Sequence, residues 1–145
     1  MKNILITLSV VIAITAGLII AAPKKSDSKN WNDLSLSQIN KNMENGSILV
    51  DVRTAKEFNL NHAVGSINFS VEDIKAGKVP TDDKNKVIYV YCRSGKRASD
   101  SKVILDSKGY KKVVNLTSLK QWISIGGKTI DSTGRTCNSK DEKAC

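Results

Sequence analysis

Residues 87–97 read Val-Ile-Tyr-Val-Tyr-Cys-Arg-Ser-Gly-Lys-Arg, an apolar run that breaks at once into a short, cation-rich turn containing one glycine. Val87–Tyr91 is rich in β-branched and aromatic residues and has no polar alternation, the pattern of a strand buried on both faces of a parallel sheet. A helical stretch follows from Ala98 to about Lys108, with Val103, Ile104 and Leu105 expected to face inward and Gly109 as its stop. Strand, tight loop and helix in succession form one half of a β-α-β unit.

The same alternation extends in both directions. Upstream, Ser35 and Gln38 have capping-box spacing before Leu36, Ile39 and Met43, which predicts a short helix ended by Gly46. Ile48–Val52 is a second compact strand, and Thr54 with Glu57 is a second capping box, opening a helix through Phe58. Ser66–Phe69 predicts a brief strand, and Ser70–Asp73 begins another helical turn ending near Gly77. Downstream, Val113–Leu116 is the last strand expected, and Ser118–Ile125 a closing helix with Leu119, Trp122 and Ile123 on its apolar side. Strands alternating with helices imply an α/β fold of three layers, a central parallel sheet covered by helices on both faces. In that architecture ligands gather at the carboxyl ends of the strands, where Cys92 stands.

Composition narrows the class. The chain has 145 residues, 40% hydrophobic and 26% charged, with two prolines, which suits one globular domain and excludes collagen-like and wholly disordered readings. Three cysteines and one histidine, His62, without a Cys-x-x-Cys pair, exclude a structural zinc site. Basic residues outnumber acidic ones, 23 to 14, for a net charge of +9, which favours anionic partners. The cations lack aromatic neighbours or a recognition motif, so nucleic acid is not the expected partner.

Asn3–Pro23 carries no charged side chain and follows Lys2, as an export signal or a membrane anchor does. Its length lies near the roughly 20 apolar residues that span a bilayer and above the roughly 7–15 of a signal core. A cut after Ala22 would leave Ile20 at the minus-three position, a poor small-x-small match. Both readings therefore stand: residues 1–22 are a cleaved signal or an anchor tethering the chain through residues 3–23. Either places the domain outside the cytoplasm, in the periplasm or otherwise exported. Residues 23–30 are expected as a polar linker, 31–128 as the folded domain, and 129–145 as a polar tail.

The turn after Cys92 is where chemistry is expected. A loop entering a helix N-terminus presents unpaired N–H groups and the positive end of the helix dipole, a setting that favours an anion such as a thiolate. Arg93, Lys96 and Arg97 add cations, and Gly95 permits the left-handed turn that a cradle of N–H groups requires. A buried, inert cysteine is the plainer alternative, but such a cysteine has no need of three flanking cations.

The loop Cys92-Arg-Ser-Gly-Lys-Arg-Ala98, the segment Leu49-Val-Asp-Val-Arg53 with Glu57-Phe58, and His62-x-x-Gly65-x-Ile67-Asn68 together resemble the single-domain rhodaneses, thiosulfate sulfurtransferases, and with the export segment the small periplasmic kind. The resemblance runs from about Leu34 to Gly127 and implies a parallel sheet of about five strands sandwiched by helices. It implies that Cys92 carries sulfur as a persulfide between a sulfur oxyanion donor, such as thiosulfate, and cyanide or a thiol. Arg93, Ser94, Gly95, Lys96 and Arg97 would then form the substrate-binding loop, with no metal or organic cofactor. A non-catalytic rhodanese-like module that carries sulfur or binds a partner is the rival from another class.

The loop is also similar to those of cysteine phosphatases, which place one more residue between Cys and Arg than the four here. A shorter cradle suits a sulfur better than a phosphate. The resemblance makes Asp51 and His62 structural, and Arg53 either structural or a residue that reaches the substrate. Two departures stand out: Asn61-His-Ala-Val-Gly65 replaces the usual Gly-His-Ile-Pro-Gly, and Thr117-Ser118 replaces the usual Gly-Gly before the last helix. Cys137 and Cys145, in an oxidising compartment, are expected to close a small ring and leave Cys92 free; the alternative is a tail thiol that takes sulfur from Cys92.

Overall fold

The computed structural model describes residues 34–138. Four strands form a parallel sheet: β1 (Ile48–Asp51), β3 (Ser66–Asn68), β4 (Ile88–Cys92) and β5 (Val113–Ser118), in the spatial order β3-β1-β4-β5. A second, antiparallel sheet joins β2 (Asn61–Ala63), β6 (Thr129–Asp131) and β7 (Thr136–Cys137) in the order β2-β6-β7. Five helices complete the fold: α1 (Leu36–Glu44), α2 (Ala55–Leu60), α3 (Val71–Lys75), α4 (Lys96–Ser107) and α5 (Leu119–Ser124).

The period-two geometry of the strands divides the core. Ile88, Val90 and Cys92 pack with Val50, Val52, Ile74, Ala98 and Leu105 on the α3/α4 side. Tyr89 and Tyr91 pack with Leu49, Ile39, Leu119 and Trp122 on the α1/α5 side. Every residue of β4 is buried, which is why that run shows no polar alternation. The two tyrosines bring hydroxyls that need partners. Tyr89 Oη accepts from Asn42 Nδ2 at 2.7 Å, and Tyr91 Oη accepts from the Ala63 amide at 3.0 Å and meets Ser66 Oγ at 3.0 Å.

The helix starts follow the caps. Ser35 with Gln38 and Thr54 with Glu57 form complete capping boxes, and Ser70 and Ser118 cap α3 and α5. Gly127 meets a different constraint, for a Cβ there would stand 2.2 Å from the Trp122 indole.

Three expectations need correction. Val103 is 65% exposed while Leu105 is buried: successive helical residues turn by about 100°, so Val103, Ile104 and Leu105 cannot share one face. The parallel sheet has four strands, those located along the chain, where the resemblance implied about five, and Asn61–Ala63 belongs to the second sheet. That sheet also overturns the polar tail from Thr129: β6 and β7 hold Thr129–Cys137 against β2, helped by Val64 N–H donating to Lys128 O at 2.9 Å and Ser132 N–H to Leu60 O at 3.0 Å. The segment was opaque because Thr129-Ile-Asp131 is too short to display a period. Cys137 is buried and disulfide-bonded, and Cys145 lies outside the described residues, as do residues 1–33. Among the described residues no helix is long and apolar enough to cross a membrane.

Candidate active site

Cys92 is the last residue of β4 and is wholly buried in the fold. The chain leaves the sheet, turns through Arg93 and Ser94, and reaches Gly95, the N-cap of α4, in the left-handed conformation at φ 95°. An L side chain would be strained there, and a Cβ would also stand 2.8 Å from Thr117 Cγ2. The turn folds the Gly95 amide back so that it donates to Cys92 Sγ at 3.1 Å. No side chain caps α4, so no side-chain oxygen competes for its first-turn N–H groups. A twelve-residue helix directs the positive end of its dipole to the same place.

The three loop cations are not equivalent. Arg97 forks onto Glu57 of α2, Nη1 to Oε2 at 2.7 Å and Nη2 to Oε1 at 2.8 Å. This bidentate bond lowers the Glu57 carboxyl to about 2, and burial opposes the shift only in part. The Glu57 pairing likewise raises Arg97, with a weaker attraction from Cys92. Glu57 also accepts from the Thr54 amide at 3.2 Å and from Thr54 Oγ1 at 3.0 Å, so a single carboxylate both caps α2 and holds the active loop. Lys96 pairs with Asp100 at 3.2 Å, an exposed contact of little energetic weight. Arg93 is exposed and has no ion-pair partner among the described residues; Ser94 is exposed beside it. Arg93, Ser94, Gly95, Lys96 and Arg97 are thus gathered at one turn, but only Arg93 offers an uncompensated charge.

Asp51 and Arg53 form a buried ion pair, Nη2 to Oδ2 at 2.6 Å, with Nε also reaching both carboxylate oxygens. Arg53 further donates to Asn61 O at 2.6 Å and lies over the Tyr91 ring, and Asn68 Nδ2 ties the carbonyls of Asp51 and Arg53 together. Burial pulls the Arg53 guanidinium down, but the Asp51 contacts prevail and raise it. His62 stacks on Phe58 with ring centres 3.7 Å apart, and its Nδ1 meets Phe58 O at 2.9 Å. These residues hold loops in place. Among the described residues no cluster of His, Cys, Asp and Glu could hold a metal.

Two contributors escaped the sequence reading. Glu57 had a visible signal as the third residue of a capping box, but its partner Arg97 lies 40 positions away. Thr117 was visible only as a departure where glycine is usual; its backbone conformation was not.

The rhodanese-like domain family matches residues 35–124, more than half of the chain, and the protein belongs to that family. It is 36% identical over 74 residues to the thiosulfate sulfurtransferase PspE of Escherichia coli, covering 49% of this chain and 69% of that protein. It is 31% identical over 97 residues to the thiosulfate:glutathione sulfurtransferase of Saccharomyces cerevisiae, covering 58% and 70%. A solved rhodanese-like domain from Anabaena sp. superposes with a TM-score of 0.53 at 30% identity, covering 57% of this chain and 79% of that one.

Proposed function

We propose that this protein is a thiosulfate sulfurtransferase that works through a persulfide on Cys92. The observation that carries the reading is the 3.1 Å bond from the Gly95 amide to Cys92 Sγ at the uncapped N-terminus of α4. A preorganised donor aimed at the sulfur supports the reading that this is where a sulfur anion is held during transfer.

In the first step the Cys92 thiolate attacks the outer sulfur of thiosulfate. The sulfur–sulfur bond of the donor breaks, sulfite leaves with the bonding pair, and the outer sulfur stays on Cys92 as a persulfide. In the second step cyanide or a thiol attacks that sulfur, and the Cys92 thiolate is the leaving group. The amides at the turn hold the negative sulfur in both states. Arg93 and Ser94 line the approach, where the charge of Arg93 draws in the donor dianion, while Lys96 and Arg97 sit behind ion pairs and shape the loop. Arg97 acts mainly by anchoring it to Glu57. Residues 1–22, an export signal or anchor, would place this activity outside the cytoplasm.

The test is thiocyanate formation from thiosulfate and cyanide by the purified protein beside Cys92→Ser, with intact mass recorded after thiosulfate alone. Turnover lost in the variant, with a mass gain of one sulfur atom only in the parent, is the expected result. A folded parent that shows neither turnover nor adduct would overturn the proposal in favour of a binding module.

A further inference from the structure

Thr117 is the one non-glycine residue with positive φ among the described residues, at 67°. A β-branched residue in the left-handed region is a true outlier, and such strain persists only where the surroundings over-determine it. Here they do so in two ways. The register of β5 against β4 shifts: Val90 pairs with Asn115 and Cys92 with Ser118, so Leu116 and Thr117 together oppose Tyr91. That is a β-bulge, a device that re-aims a side chain next to a strand end. The Asn115 side chain then accepts the Thr117 amide at 2.7 Å and pins the turn.

The bulge aims Thr117 at the cysteine loop. Its Cγ2 lies where it would stand 2.8 Å from a Cβ on Gly95, and its carbonyl oxygen lies 3.8 Å from Cys92 Sγ. Gly95 is the residue whose amide holds the sulfur. We propose that Thr117 is a positioning residue of the sulfur-transfer site: the bulge presses its methyl against Gly95 and thereby keeps the Gly95 amide directed at Cys92 Sγ. The proposal rests on the sulfurtransferase reading for its consequence and on the loop geometry alone for its premise. The strained backbone of β5 is thus coupled to the preorganisation of the cradle, and the coupling runs through a methyl group. A loop free to rock by a fraction of an ångström would lose the donor geometry on which a transition state depends.

The experiment compares Thr117→Gly, Thr117→Ser and Thr117→Val in the full chain. Gly removes the strain and the methyl, Ser removes the methyl alone, and Val keeps a methyl but loses the hydroxyl. Two readouts are taken: hydrogen exchange of the Gly95 amide by NMR, with Val90 as an internal control, and kcat and KM for thiosulfate. Gly and Ser are expected to speed Gly95 exchange and lower kcat/KM by about fivefold or more, mostly in kcat, with the midpoint of unfolding held or raised in Gly. Val is expected to recover most of the loss. Gly95 exchange at the parent rate in both Gly and Ser would overturn the proposal, as would a loss in Val that Ser does not share. A parent without transfer activity would instead defeat the sulfurtransferase reading, and the Gly95 exchange rates would still decide the role of Thr117.

Discussion

Replacing Glu57 by glutamine removes the charge from a carboxylate that α2 and the active loop share, while keeping its shape. Its carboxyl is held at about 2 against an ordinary 4.5, chiefly by the Arg97 fork. That difference sets a ceiling of about 3 kcal/mol on the stability the charge contributes at neutral pH. The side chain is 29% exposed, so screening reduces the expected figure to about 1–2 kcal/mol. The sign follows from a folded value below the unfolded one. The contribution is fully present above about 4.5 and is lost as the pH falls toward 2, with about two fifths remaining at pH 3. Urea unfolding of the parent and of Glu57→Gln at pH 7, 5, 4 and 3 should show a gap that is constant down to pH 5 and then closes. Equal stabilities at pH 7, or a gap undiminished at pH 3, would refute the assignment of Glu57 as a charged anchor.

Arg53→Ala should destabilise the fold by about 3–5 kcal/mol, because it leaves Asp51 buried without its partner; a change in the urea midpoint worth under about 1 kcal/mol would mean the pair is not held dry. Gly127→Ala should cost about 1–3 kcal/mol by forcing a Cβ against the Trp122 indole, seen as a lower melting temperature with altered tryptophan fluorescence. An unshifted melting temperature would show that the indole has room to move.

The parts of the fold that the sequence disclosed are those governed by short-range rules. Capping boxes at Ser35 and Thr54 located α1 and α2, and the compact β-branched run Ile48–Val52 and the unbroken apolar run Val87–Tyr91 located the two central strands. Cys92 and Gly95 were legible for the same reason, since a strand end and a helix start adjoin in sequence. What stayed hidden depends on long-range contact. Asn61–Ala63 becomes a strand only because Thr129–Asp131 returns to pair with it. Arg97 reads as a free cation until Glu57 is brought alongside, and Thr117 reads only as a departure from the usual glycine until the bulge in β5 turns it over Gly95. Charge counted along the chain overstated the field at the loop.

The depth of Cys92 orders the two halves of the proposed relay. With the side chain wholly covered, a donor can touch the sulfur only after the groups over it give way. Loading adds a sulfur–sulfur bond of about 2 Å, and the atom to be handed on then stands that much farther from the end of β4. In the proposed relay the donor must therefore reach deeper into the fold than the acceptor, and the loop must give way further for the first half than for the second.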